Sequence, residues 1–337
     1  MGKTQFLMQQ IKLHEIVYPF GSELTGRIFF YAYGRAALYD ALMMIKSSEE
    51  SNILLPSILC SSILLPFTDL GISFKFYELG EKLEPRIDSI NKLIDTKTIA
   101  IYYINYFGFP PINIWEIKNL SKVKDLYLIE DNAHGYLSYS NNQPLGQFGD
   151  ISIFSMRKTV PIICGASLII NNQKLSDNIL NKRIYTEKYN YAKLLKKIFR
   201  ISSEMINFPL KRIHSLNKVI SSAEDLERKY SLGIDSYSLW LLNSINKNRI
   251  LYNRRQDFQM VLKFLTSSYR ISPLYEILEE GICPYAFPFV TNEKDKLKIE
   301  LKTKKIRVSD WPEIPPVVDN KRYLKIKEKL LIILLAY

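Results

Sequence analysis

Residues 126–170 read LYLIEDNAHGYLSYSNNQPLGQFGDISIFSMRKTVPIICGASLII, and the fold turns on how this stretch divides. An apolar run, Leu126 to Ile129, ends in the acidic pair Glu130-Asp131 and then His134. A polar, glycine-containing loop carries the chain to Gly149-Asp150, and a second strand-like run, Ile151 to Phe154, ends in Ser155-Met156-Arg157-Lys158. The first run reads as a buried strand with an acid at its end, and the second as a strand that ends on a serine and a lysine. One cofactor needs that set of groups. Pyridoxal phosphate takes a carboxylate on its ring nitrogen, a lysine on its aldehyde carbon and hydrogen-bond donors on its phosphate.

Toward the N-terminus the pattern continues. Tyr33-Gly34-Arg35-Ala36-Ala37-Leu38 opens a helix that runs to about Ile45, and a glycine followed by small residues leaves backbone N–H groups bare for a phosphate, or simply starts an ordinary helix. Ile53 to Pro56 reads as a buried strand, with a helix from Ser57 through Phe67 and Gly71 as its stop. Phe74 to Tyr77 is a short strand, Ile87 to Ile94 a helix, Thr98 to Ile104 a β-branched and aromatic strand, and Trp115 to Leu120 a helix. Strand and helix alternate, so the favoured architecture is α/β with a mainly parallel sheet. Ligands in such sheets sit beyond the carboxyl ends of the strands, where Pro56, Asn105, Asp131 and Ser155 fall.

Beyond Ile170 the character changes. Lys182 to Lys218 holds ten Lys or Arg against two acids, Glu187 and Glu204, so this segment concentrates the net charge of +12. Apolar residues at helical spacing run through it. A surface helix with one buried face accounts for them; a basic surface for a diphosphate-bearing substrate, or a membrane-facing helix over 187–207, is the less favoured reading, and no nucleic-acid-binding signature is present. Tyr237 to Phe264 reads as one long helix. It leads to a C-terminal part with a strand around Pro284 to Val290, a helix over Leu297 to Leu301, and an apolar tail, Leu330 to Tyr337, that could leave an exposed apolar patch. The expected division is a large cofactor-binding domain, 1–235, which takes in the basic helical region 182–230, and a linking helix with a small α+β C-terminal domain, 236–337.

The totals limit the classes. With 47% hydrophobic and 24% charged residues, the chain is a globular protein with a sizeable core. Its three cysteines, Cys60, Cys164 and Cys283, lie far apart without a CxxC, which argues against a disulfide framework or a metal site and fits a reducing cytoplasm. No signal peptide is evident after Met1, and the apolar tail is too short to span a bilayer.

Taken together, Gly34-Arg35-Ala36-Ala37-Leu38, Pro56-Ser57-Ile58-Leu59-Cys60, Glu130-Asp131-Asn132-Ala133-His134 and Gly149-Asp150-Ile151-Ser152-Ile153-Phe154-Ser155 resemble the DegT/DnrJ/StrS-type sugar aminotransferases. Asn253-Arg254-Arg255 and Cys283 to Pro288 are similar to later landmarks of that family. The resemblance implies a three-layer, aspartate-aminotransferase-like large domain of pyridoxal phosphate fold type I, with a smaller α+β domain. It implies a transaminase for a keto-sugar nucleotide in amino-sugar or surface-polysaccharide biosynthesis, with glutamate as amino donor, working as a homodimer.

By the same resemblance Asp131 pairs with the pyridinium nitrogen, His134 lies beside the cofactor's phenolic oxygen, and Ser155 binds phosphate together with the helix start at Arg35 and Ala36. Many relatives carry a hydroxyl residue at that helix start, which this chain lacks. Cys60 stands where an aromatic ring commonly stacks on the cofactor. The family's lysine usually follows the serine by five residues, a position held here by Val160; Lys158, three after Ser155, is taken as the lysine that holds the cofactor. Two other readings stay open: a pyridoxal phosphate-dependent sugar dehydratase, in which histidine replaces the lysine, and a non-catalytic homologue that binds a sugar nucleotide or a partner protein.

Overall fold

Apolar runs that alternate with amphipathic segments can bury both faces of a sheet only by laying helices against it, and this chain does so. The computed structural model describes residues 26–175, 230, 232–311 and 329–335. In chain order the elements are β1 (Arg27–Tyr31), α1 (Gly34–Ile45), β2 (Asn52–Pro56), α2 (Leu64–Leu70), β3 (Ser73–Tyr77), α3 (Ile87–Leu93), β4 (Thr98–Ile104), α4 (Ile114–Val123) and β5 (Tyr127–Asn132). A small hairpin, β6 (Tyr139–Ser140) and β7 (Gln143–Pro144), precedes β8 (Ile151–Phe154) and β9 (Ala166–Ile170). Then come α5 (Ser236–Ser244), α6 (Lys247–Ser268), β10 (Ser272–Pro273), β11 (Ala286–Val290), α7 (Lys294–Thr303), β12 (Ser309–Asp310) and β13 (Leu330–Leu334). The basic segment 182–218 lies outside the described residues.

Seven strands form one sheet in the order β1-β9-β8-β5-β4-β2-β3. The run from β3 to β8 is parallel, whereas β9 pairs antiparallel with β8 and β1 antiparallel with β9. The carboxyl ends of β2, β4, β5 and β8 therefore open on one edge. This is the α/β, mainly parallel architecture of fold type I. A second sheet, β10-β11-β13-β12, is antiparallel, and its buried residues Phe287, Phe289 and Leu331 belong to the same apolar cluster as Ile53, Ile101 and Leu128 of the large sheet. No helix among the described residues is long and apolar enough to cross a membrane.

Four local readings are corrected. The helix expected from Ser57 starts only at Leu64, because Ser57 N–H bonds the Tyr77 carbonyl at 3.0 Å and extends the strand ladder. The later start also keeps Pro66 within the first helical turn, where its missing N–H costs nothing. Strand β5 runs on through Glu130, Asp131 and Asn132 instead of stopping at Ile129, since Tyr103 and Ile104 of β4 and Ser152 to Phe154 of β8 pair with them on both sides. The long helix over 237–264 is two helices: Asn246 breaks the run and caps α6, its side chain accepting from Arg249 N–H at 3.0 Å. The apolar tail forms β13, the inner strand between β11 and β12, with Leu330 to Ile333 buried and only Leu334 exposed. Leu330 to Leu334 thus fill a sheet instead of leaving a patch; Ala336 and Tyr337, the end of that tail, lie outside the described residues.

Two glycines are set by close approach. A Cβ on Gly149 would stand 2.8 Å from the carbonyls of Ile151 and Leu128 and 2.9 Å from Glu130 Cβ. Gly108, at φ 93°, has the Cys283 carbonyl directly against its Cβ position and the His134 carbonyl 3.1 Å away. That closeness joins the loop after β4 to the segment before β11.

Candidate active site

Adjacent acids on β5 face opposite sides of the sheet and do different work. Glu130 is fully buried. Its Oε1 accepts from Gly146 N–H at 2.7 Å and Asn105 Nδ2 at 3.2 Å, and its Oε2 accepts from the N–H groups of Phe148 and Gly149 and from Ser152 Oγ, each at 3.0 Å. Three of these five donors lie in the β7–β8 loop and tie it to β5, so Glu130 is a structural acid. Asp131 Oδ2 accepts from Tyr102 OH at 2.5 Å and Oδ1 from Ala133 N–H at 2.7 Å. Burial raises its pKa above the usual carboxylate range, while Tyr102, Ala133 and the Lys158 charge draw it back.

Just beyond β5, His134 is buried, with its ring stacked on Tyr285 at 4.4 Å and 5° and parallel to Phe107 at 6.0 Å. Trp311, which follows β12, packs at 6.1 Å from it. Phe107 N–H donates to Nδ1 at 3.4 Å, and Nε2 lies 3.3 Å from Lys158 Nζ. Burial, and secondarily the Lys158 charge, pushes the His134 pKa well below its ordinary value.

Lys158 ends a 3-10 turn, Met156–Lys158, that leaves β8 at Ser155. Its amine is surrounded by Asp131, Cys60, Arg157 and His134, and burial draws its pKa down. Val160 is fully buried and packs in a separate apolar cluster with Phe30, Ile162 and Leu242. The turn thus brings the lysine three residues after the serine to the carboxyl edge, while the position five after it joins the core.

Ser155 is buried against the start of α1; a Cβ on Gly34 would stand 3.8 Å from Ser155 Cβ. The first turn of a helix presents N–H groups that its own carbonyls cannot take, and Gly34 and Arg35 open that turn, whereas Ala36 N–H already donates to the Tyr33 carbonyl at 3.0 Å. The Arg157 guanidinium lies 5.5 Å from the Tyr33 ring at the same helix start. Cys60 is exposed, caps the turn Ser61–Ile63, and has Sγ 3.0 Å from Ser62 Oγ. The edge therefore gathers a buried carboxylate, an amine, an imidazole and an electropositive helix start beside a serine. This donor set fits pyridoxal phosphate: anion donors at one end, and at the other an acid with a lysine near it. Among the described residues no cluster of His, Cys, Asp and Glu could hold a metal ion.

Sequence reasoning missed Tyr102, Phe107, Tyr285 and Trp311 as members of the site. It noted Arg254 only as a landmark. The side chain, 1% exposed, reaches from α6 to the carbonyls of Pro284 and Tyr285 with one nitrogen (3.1 and 3.3 Å) and those of Lys158 and Thr159 with the other (3.3 and 3.2 Å). A cleft of about 750 Å³ at the opposite end of the sheet, lined by Thr98, Lys118, Tyr127, Asp150 and Asn171, shares no residue with this set.

GDP-perosamine synthase of Vibrio cholerae is 23% identical over 203 residues, covering 58% of this chain and 55% of that one. A GDP-4-keto-6-deoxy-D-mannose 3-dehydratase of Escherichia coli O55:H7 is 30% identical over 140 residues, covering 40% and 36%. The chain spans about half the length of the curated relatives it matches. Among solved structures, AtS13 from Actinomadura melliaura superposes with a TM-score of 0.68 at 13% identity, covering 91% of this chain and 81% of that one, a likeness of fold. Helicobacter pylori PseC, described as an aminotransferase of pseudoaminic acid biosynthesis, does so with a TM-score of 0.61 at 15% identity, covering 92% and 81%. The family model described as the DegT/DnrJ/EryC1/StrS aminotransferase family matches residues 31–208, more than half of the 337, and the chain belongs to that family.

Proposed function

We propose that the chain is a pyridoxal phosphate-dependent aminotransferase acting on a keto-sugar nucleotide. The observation that carries the reading is the Lys158 amine standing beside His134 and within the field of Asp131, with Ser155 and the α1 start alongside. When bound, the cofactor supplies an electron sink that lets an amino group and a proton pass between donor and acceptor. Asp131 would keep the ring nitrogen protonated; Ser155 and the N–H groups at Gly34 and Arg35, with Ala36 behind them, would hold the phosphate; His134 would lie beside the phenolic oxygen. Lys158 would hold the aldehyde carbon, and its amine would be the base placed to take the proton from the α-carbon of the amino donor. Cys60, exposed where relatives stack an aromatic ring, leaves that face with less contact area.

Glutamate as donor, a homodimer, a cytoplasmic location and a division into 1–235 and 236–337 belong to the same proposal. The test is the visible spectrum of the full chain after pyridoxal phosphate is added and the excess removed. The expected result is a yellow band that borohydride converts to a mass increment on Lys158, absent in Lys158→Ala, followed by an aminated product from a keto-sugar nucleotide and glutamate. A deoxygenated, unaminated product would make the chain a dehydratase. No band, with Lys158→Ala behaving like the parent, would make it a binding protein.

A further inference from the structure

We propose that the peptide N–H of Phe107 fixes His134 as its Nε2–H tautomer, so that His134 donates to Lys158 and holds it as a neutral amine. The purpose of this arrangement rests on the aminotransferase reading; the arrangement itself rests on hydrogen-bond direction.

Phe107 lies in the turn Tyr106–Gly108 with φ 57° and ψ 14°, a left-handed conformation that a bulky aromatic residue rarely adopts. Such strain persists only where surrounding contacts over-determine it. Here Phe107 C=O accepts from Tyr285 N–H at 2.7 Å, and Gly108 is wedged against the Cys283 and His134 carbonyls. The result aims Phe107 N–H at His134 Nδ1.

A peptide N–H only donates, so Nδ1 accepts, and the proton of a neutral imidazole then resides on Nε2. This tautomer is assigned from the hydrogen-bond network. Nε2–H points at Lys158 Nζ, 3.3 Å away. An ammonium group has no lone pair to accept it, whereas a neutral amine has one. The opposite arrangement, an ammonium donating to a bare Nε2, would set Nδ1–H against Phe107 N–H, donor against donor. The rings of Tyr285, Phe107 and Trp311 pack about the imidazole and bring no charge to it. Around the lysine amine, Asp131 and Cys60 favour the ammonium form, while burial and Arg157 oppose it. Burial lowers the pKa of both His134 and Lys158, in the same direction. An amine that must attack an aldehyde needs its lone pair, so Phe107 and His134 act as positioning residues that keep it available.

The test uses the full-length chain without added cofactor, labelled with 15N-histidine. The chain has three histidines, and His134→Gln identifies the signals of His134 by their loss. The expected spectrum has a protonated Nε2 and a bare Nδ1 that stay unchanged on acidification through the ordinary histidine range. In parallel, acetic anhydride labelling of Lys158 is read by peptide mass spectrometry as a function of pH. His134→Phe, which keeps the stacked ring and removes the donor, should lower Lys158 labelling at neutral pH about tenfold, the equivalent of one hydrogen bond. His134→Gln, whose amide can still donate, should restore much of it. An Nδ1–H tautomer, an imidazolium, or a labelling profile indifferent to both substitutions overturns the proposal. Neither readout requires bound cofactor, so a chain that passes this test yet never forms the visible band loses the function and keeps the device.

Discussion

Replacing Glu130 by Gln tests whether one of two adjacent acids is structural. A glutamine offers a single oxygen in place of two, and its amide nitrogen must face donors wherever it points. At the Oε1 position it strands Gly146 N–H and meets Asn105 Nδ2; at Oε2 it strands the N–H groups of Phe148 and Gly149, while Ser152 can reverse its hydroxyl. Stranding a buried donor costs about 1–3 kcal/mol, and each surviving bond loses about 1 kcal/mol when its acceptor is no longer charged. The sum, roughly 4–6 kcal/mol for the less costly orientation, is a large share of the roughly 5–15 kcal/mol that holds a typical domain together. Asp131→Asn should cost far less stability, because its partners are one backbone N–H, which an amide oxygen still serves, and a tyrosine hydroxyl that can rotate. Urea unfolding followed by far-UV circular dichroism gives both values. A Glu130→Gln variant within about 1 kcal/mol of the parent would refute the structural assignment.

Arg254→Ala removes the guanidinium that joins the Lys158 turn to the Pro284–Tyr285 segment, and should cost about 3–5 kcal/mol in the same assay while weakening cofactor retention on dialysis. Arg254→Lys should not rescue it, since one ammonium cannot span four carbonyls. For His134 the folded pKa lies well below the unfolded value of 6.5, so in the window beneath 6.5 the unfolded state binds more protons and stability rises with pH. Between about pH 7 and about pH 5.5 the parent should therefore lose roughly 1.3 kcal/mol relative to His134→Gln. Unfolding curves whose difference does not change with pH would place His134 in an exposed, ordinary environment.

Between Gly34 and Ser155 the alternation of strands and helices, the parallel class of the sheet and the positions of Asp131, His134 and Ser155 near strand ends were legible, whereas the antiparallel strands β1 and β9 were not read. Strands buried on both faces show themselves as unbroken apolar runs, and the residues that close them are local features. Periodicity could not separate α5 from α6, because the apolar spacing runs through Ile245 and only the Asn246 cap breaks it. Nor could it show that Glu130 lies inside β5, since an acid in a buried strand depends on donors from a loop up to 19 residues further along.

What the sequence by itself determined is a set of chemical groups in a strand-and-helix order, because propensity, pattern and turn residues act over a few positions. Tertiary structure alone decided which of them meet. The 3-10 turn after β8 exposes Lys158 to His134 and buries Val160, and a two-residue offset has no signature outside that turn. Tyr285, Trp311 and Arg254 reach His134 and Lys158 from about a hundred or more residues away, and β13 takes its place between β11 and β12. Those contacts exist only after the chain has closed long loops, so no local pattern encodes them.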